Sequence, residues 1–350
     1  MDCGEVAERL KAHAWKVCIR ETVSRVRIPL SPPLMYKALN GADFMPSLWP
    51  LPLKKSENID VIAPAFGYFP DILVKIESFL SYWDLHPLIP EDIFGADILC
   101  AHADEIRFNH LYKALNNQKS RYIWCLRGGY GSTRLLSFLK DMPMPSIPKL
   151  LIGSSDITAL HLFLNQKWGW PSLHAAPLKA LVMNEISEES ISGLKALLLG
   201  AQTRKKHDHL IPLNSAAFQK RSVNAPIIGG NLTLIESSLG TFWQADTFGK
   251  IIFLEDVDER GYRIDRSLVH LSQAGLFEHA KAIIFGDFIG GKEKDGTSLI
   301  EPVLQRFANA IPIPVLKMEG IGHGFVDSPL PLGIPVVLET GENSSLIYQL

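Results

Sequence analysis

The chain has 350 residues, 47% of them hydrophobic and 21% charged, which is room for two domains with substantial cores. A formal net charge of -2 lacks the basic excess of a general nucleic-acid binder, so no nucleic-acid partner is expected. No apolar run approaches the roughly 18 residues needed to cross a bilayer and no secretory hydrophobic region opens the chain. No membrane partner is expected either, and Cys3, Cys18, Cys100 and Cys125 show no framework spacing, which fits a reducing, cytoplasmic setting.

In chain order, Val6 to Pro33 carries lysine and arginine at irregular spacing with no amphipathic period. The stretch resembles the conceptual translation of a bacterial serine tRNA gene. Val26-Arg27-Ile28-Pro29 is one frame of GTTCGAATCCC, and Pro33 corresponds to a terminal CCA. Residues 1–57 are therefore expected to be a spurious or disordered extension that packs poorly on the rest, with Met35 or Met45 as the initiator. A genuine N-terminal extension is the alternative.

From Ile59 onward short apolar runs alternate with helical stretches: IDVIAPA, a helix over 70–82, HPLI, a helix over 103–116, YIWCL, a helix over 133–139, LLIG, and a helix over 156–168. That alternation predicts a parallel sheet with helices on both faces, a flavodoxin- or Rossmann-like α/β domain over residues 58–202. Ligands of such sheets bind beyond the carboxyl ends of the strands. The polar stretch 203–225, with KKHDH and QKRS, reads as an interdomain crossover. A second, mixed domain follows over 226–350, with strands near 226–228, 251–254, 282–285 and 336–338 and helices over 266–274 and 298–310.

Three segments carry chemistry. Tyr122 to Leu126 run into Arg127-Gly128-Gly129-Tyr130-Gly131, where glycines let backbone approach a ligand and present N–H groups to an anion; a plain tight turn reads equally well. Leu151 to Ile157, LIGSSDI, places Ser155 on a strand-to-helix turn, where a hydroxyl is lifted clear of the sheet beside helix N–H groups. A serine or aspartate before a helix is ordinarily just its N-cap. Farther on, Ile251 to Leu254 end in Glu255-Asp256, and Gly320-Ile321-Gly322-His323-Gly324 isolates one histidine among glycines. Ser155, Glu255 and His323 would supply nucleophile, orienting acid and general base in the chain order serine, acid, histidine. The eleven histidines show no H-E-x-x-H and there is no CxxC, so no metal or other cofactor is expected; His207 and His209 read as part of a polar loop.

Several ordered blocks together resemble the murein LD-carboxypeptidase family of serine peptidases, which includes the microcin C immunity peptidases. They are IDVIAPAFG at 59–67, WCLRGGYGSTRLL at 124–136, LIGSSDITAL at 151–160, IIGGNLTLIESSLGT at 227–241, IIFLEDVDERGYRIDR at 251–266 and GIGHG at 320–324. The resemblance implies release of the terminal D-alanine from murein tetrapeptides in the cytoplasm, by a homodimer whose smaller C-terminal domain is barrel-like. It maps the nucleophile to Ser155, the acid to Glu255 and the base to His323, and it passes over Ser132. The N–H groups of Asp156 and of the Gly128-Gly129 turn are the expected oxyanion donors, and Arg127 the expected ligand for the substrate carboxylate. One departure is His174-Ala175-Ala176-Pro177 where many relatives have His-Gly-Pro. The competing readings are a microcin-immunity-type peptidase acting on a peptidyl aminoacyl-nucleotide and a non-catalytic small-ligand binding protein.

Overall fold

The computed structural model describes residues 49–350, and the expectations for residues 1–48, Met35 and Met45 included, lie outside the described residues. Six strands form one sheet: β1 (Asn58–Ile62), β2 (His86–Leu88), β3 (Ser120–Cys125), β4 (Leu150–Gly153), β5 (Ser172–His174) and β11 (Leu330–Leu332), in the order β11-β5-β4-β3-β1-β2. The first five are mutually parallel, as the strand-helix alternation requires; β11 pairs antiparallel to β5. The remaining strands close a seven-stranded mixed barrel in the order β10-β6-β13-β12-β7-β8-β9. They are β6 (Arg204–Pro212), β7 (Arg221–Asn231), β8 (Ile251–Val257), β9 (Ala282–Ile289), β10 (Val315–Lys317), β12 (Pro335–Thr340) and β13 (Ser344–Gln349).

Strand periodicity explains the core. Alternate residues of a strand face opposite sides, so Tyr122 and Trp124 enter one apolar cluster while Ile123 and Cys125 enter the other. In the barrel Ile251 and Phe253 divide from Ile252 and Leu254 in the same way. Each cluster draws side chains from both the sheet and the barrel, which fastens one to the other.

Four expectations are corrected. Residues 49–57 pack on the sheet rather than trailing from it: Leu53 is buried and donates its N–H to Leu198 O, and the Tyr122 hydroxyl donates to Leu51 O at 2.9 Å. The stretch 203–225 holds strand β6 and the start of β7 rather than a plain crossover. Its polar side chains stand on the barrel's outer surface while its backbone pairs with β13 and β10, so His207 and His209 are strand residues. The segment 226–350 does not stay in the barrel, because the open edge of β5 captures Leu330–Leu332. The helix expected over 266–274 spans Gly261–Gln273, since part of the charged run that follows Glu255 forms its first turns, with Arg263 paired to Glu259.

Candidate active site

Strand β4 ends at Gly153, where a Cβ would stand 3.0 Å from Ile157 and 3.2 Å from Cys125. The chain then turns abruptly. Ser154 is extended and Ser155 has φ +62°, a left-handed conformation that costs a side-chain-bearing residue about 1 kcal/mol, before a 3₁₀ turn (Ser155–Ile157) leads into the helix Thr158–Phe163. Such a strained strand-to-helix turn holds a hydroxyl out at the carboxyl end of a sheet. Ser155 is half-buried, and its hydroxyl makes no hydrogen bond among the described residues.

The glycine turn after β3 meets it. A Cβ on Gly128 would lie 2.8 Å from Ser155 Cβ and 3.1 Å from Ser155 Oγ, so only glycine lets these two turns touch. Gly129, at φ +111°, lies under the Phe66 ring, and the N–H groups of Gly128 and Gly129 donate to no described group. Ser132 is fully buried and clamps the two turns together: its N–H donates to Asp156 Oδ2 at 2.7 Å and its hydroxyl donates to the Asp156 carbonyl. Burial pushes the Asp156 carboxyl above the usual carboxylate range. Ser132 is thus a fastening between the two turns.

Glu255 and His323, 68 residues apart, come into direct contact: Nδ1 lies 2.6 Å from Glu255 Oε2. The pairing of β8 with β9 slips between Leu254 and Asp256, and a bulge of this kind re-aims a side chain. Glu255 is fully buried there, with Oε1 unpartnered. The histidine loop is held from beneath. Asp287 accepts the Gly320 N–H with both oxygens at 3.1 Å, and Asp327 accepts the Gly322 N–H at 3.1 Å. Burial lowers the basicity of His323, but the charge and hydrogen bond of Glu255 outweigh it, and the imidazole is pushed up to about 9. Burial pushes the Asp327 carboxyl up to about 8.

Residues that sequence reasoning missed join the halves. Thr158, three residues after Ser155, accepts the N–H of Asn231 at 2.9 Å, and Gly230 leaves no space for a Cβ against it. Asn231 is the register partner of Glu255, and its side chain donates to Asp256 at 2.8 Å. Thr233 donates N–H and hydroxyl to the other Asp256 oxygen, so Asp256 is a structural anchor for this corner. The GGN spelling at 229–231 was the available signal. His174 closes β5 as register partner of Gly153, its ring centroid 5.4 Å from that of Phe253 and both ring nitrogens without a partner. Burial holds it well below the ordinary histidine range and therefore neutral.

Arg127 stands apart from these contacts. Its guanidinium lies 5.4 Å from the Phe66 ring centroid and 5.8 Å from that of Tyr68, donates to Gly67 O at 3.4 Å, and pairs with no carboxylate among the described residues. The structure thus brings Glu255 to His323 and Ser155 to Gly128, with Thr158, Asn231 and Asp256 bridging the two pairs. Ser155 and His323 do not hydrogen bond to each other here. Catalytic hydrogen bonds often tighten only when substrate binds. Among the described residues no group of three or more His, Cys, Asp or Glu could hold a metal ion, and no helix is long and apolar enough to cross a membrane.

Comparison with known proteins finds matches in both halves of the chain. Residues 59–175 match the LD-carboxypeptidase N-terminal domain and residues 224–338 the LD-carboxypeptidase C-terminal domain. A "putative carboxypeptidase" of Rickettsia conorii is 42% identical over 278 residues, 79% of this chain and 86% of the relative. The murein tetrapeptide carboxypeptidase of Pseudomonas aeruginosa is 30% identical over 288 residues, 80% of this chain and 92% of that protein. The crystal structure of muramoyltetrapeptide carboxypeptidase from Oxalobacter formigenes superimposes with a TM-score of 0.72 at 26% identity, covering 83% of this chain and 98% of that one. The wild-type microcin C7 self immunity protein shares the fold, at TM-score 0.72 and 18% identity over 86% of this chain and 99% of its own. With domain models matched in both halves and a relative 42% identical over four-fifths of its length, this chain belongs to the LD-carboxypeptidase family of peptidases.

Proposed function

We propose that this protein is a cytoplasmic serine carboxypeptidase that releases the terminal D-alanine from murein tetrapeptides. The observation that carries the reading is the Glu255–His323 pair, joined through Asn231 and Thr158 to the strained turn that carries Ser155. In the proposed reaction His323 takes the Ser155 proton as Oγ attacks the scissile carbonyl carbon, while Glu255 fixes the tautomer and stabilises the imidazolium. The N–H groups of Asp156 and of the Gly128-Gly129 turn receive the oxyanion, each worth on the order of 3 kcal/mol. Collapse breaks the C–N bond, and His323 returns the proton to the leaving amine. Water, deprotonated by the same imidazole, then cleaves the acyl-serine ester. Arg127, which pairs with no carboxylate among the described residues, binds the carboxylate of the leaving residue.

The test is incubation of the purified chain with a defined L,D-tetrapeptide, with released D-alanine followed by mass spectrometry. Wild type is expected to turn over and Ser155→Ala to be inactive. Near wild-type turnover by Ser155→Ala would overturn the nucleophile. Preferential turnover of an acyl-sulfamoyl-adenosine over the muropeptide would replace the substrate reading with the nucleotide-conjugate one.

A further inference from the structure

Beside the glycine turn lies a cavity of about 470 Å³. Its walls come from the loop after β1, with Phe66 and Tyr68, and from the loop after β2, with Phe94, Asp97 and Leu99; Arg127 completes it. The two loops are fastened by the Ala101 N–H to Ala65 O hydrogen bond at 2.9 Å, and the second is closed on itself by Gly95 N–H to Ala101 O at 2.8 Å. Gly67 packs so closely that a Cβ would stand 3.1 Å from Ala101 Cα. The cavity is therefore preformed. It is also adjacent to the nucleophile, because Phe66 covers Gly129 while Gly128 touches Ser155.

Two of its properties limit what it can hold. The Asp97 carboxylate accepts the N–H groups of Leu99 at 2.8 Å and Cys100 at 2.6 Å through one oxygen, Oδ1, and keeps its negative charge in the lining. Arg127 is the cation of this lining, and aromatic and aliphatic wall lies beside it. Such a lining suits a carboxylate attached to an apolar group, the acid on Arg127 and the apolar part on Phe94 and Leu99. A volume within the roughly 300–1,000 Å³ of small-molecule sites is far more than the methyl group of alanine fills.

Resting on the function proposed above, we propose that this cavity receives the side chain of the leaving residue. The enzyme then releases large apolar D-amino acids, D-leucine and D-phenylalanine among them, as well as D-alanine. The Arg127 guanidinium anchors the carboxylate while Phe94 and Leu99 cover the side chain.

The experiment compares kcat/KM for three synthetic tetrapeptides that differ only in a terminal D-Ala, D-Leu or D-Phe, using the full chain and Leu99→Ala. Leu99 is 52% exposed, so the variant is expected to fold, with a thermal melt as the check. The expected result is D-Leu and D-Phe turnover within about threefold of D-Ala or faster. In Leu99→Ala the D-Phe to D-Ala ratio is expected to fall at least about fivefold, the scale of a few lost methylene contacts. Turnover of D-Ala with D-Phe more than about twentyfold slower overturns the inference and leaves the proposed function standing. An equal loss on all three substrates in Leu99→Ala also overturns it, and no turnover of any substrate overthrows the proposed function and this inference together.

Discussion

Replacing Glu255 by glutamine separates charge from geometry at the pair on which the proposed chemistry depends. Glutamine is nearly isosteric and can still accept from His323 Nδ1, across what is now a 2.6 Å contact, but the anion is gone. His323 sits at about 9 against an ordinary 6.5, although burial alone would lower it, so the carboxylates around it, Glu255 foremost, together supply more than the observed gap; that gap corresponds to roughly 3 kcal/mol. The His323 side chain is 20% exposed, so solvent screens little of this. Asp327 and Asp256 also favour the imidazolium, and they remain in the variant. The free-enzyme kcat/KM profile of wild type is expected to rise with pH toward about 9, as His323 becomes the free base. In Glu255→Gln the rise should shift down by at least about two pH units, and the plateau should drop by about 10³ to 10⁴ because the imidazole loses its oriented, charge-stabilised state. Stability follows with a definite sign. A histidine raised in the fold stabilises fully below its unfolded value of 6.5, and that contribution disappears as pH climbs through about 9, so wild type should lose stability across this window more steeply than the variant, in which Asp327 still titrates. D-alanine release measured between about pH 5 and 10 is the assay. An unmoved pH profile, or a plateau within tenfold of wild type, would refute the role given to Glu255.

Ser155→Gly and Ser155→Ala should both abolish turnover, yet only glycine relieves φ +62°, so Ser155→Gly should melt higher, by about 1 kcal/mol in stability; equal melting temperatures would show the turn unstrained. Gly128→Ala drives a Cβ to 2.8 Å from Ser155 Cβ, and turnover should fall at least about tenfold while circular dichroism stays native. Asp327 binds its proton in the fold up to about 8 but only to 3.8 when unfolded, so it costs stability increasingly as pH rises across that window; Asp327→Asn, which can still accept from Gly322, should flatten the pH dependence of the melting temperature there. Arg127→Met should narrow the preference for a free C-terminal acid over its amide by at least about tenfold, and an unchanged preference would remove Arg127 from carboxylate binding.

The alternation of apolar runs with helical periods from Ile59 to Trp168 was enough to predict β1 through β4 and the helices between them, because strand and helix periods are local properties of neighbouring residues. The same locality made Ser155 and the Gly128-Gly129 turn legible: a strand-to-helix turn and a glycine cluster are each written in a few adjacent positions. The proposed acid and base were visible as types, a carboxylate ending a strand and a histidine among glycines, and the resemblance of whole blocks ordered them. Their contact was not visible. It depends on a bulge at Glu255 and on Asp287 and Asp327 holding the Gly320–Gly324 loop, interactions between residues that no sequence period relates. Tertiary structure likewise decided that Leu53 packs under the sheet, that the polar run 204–212 is a barrel strand, and that Leu330–Leu332 returns to pair with β5. In each case a free backbone edge or an apolar recess elsewhere in the fold supplied the partner, and a short segment's own residues carry no record of the surface that will capture it.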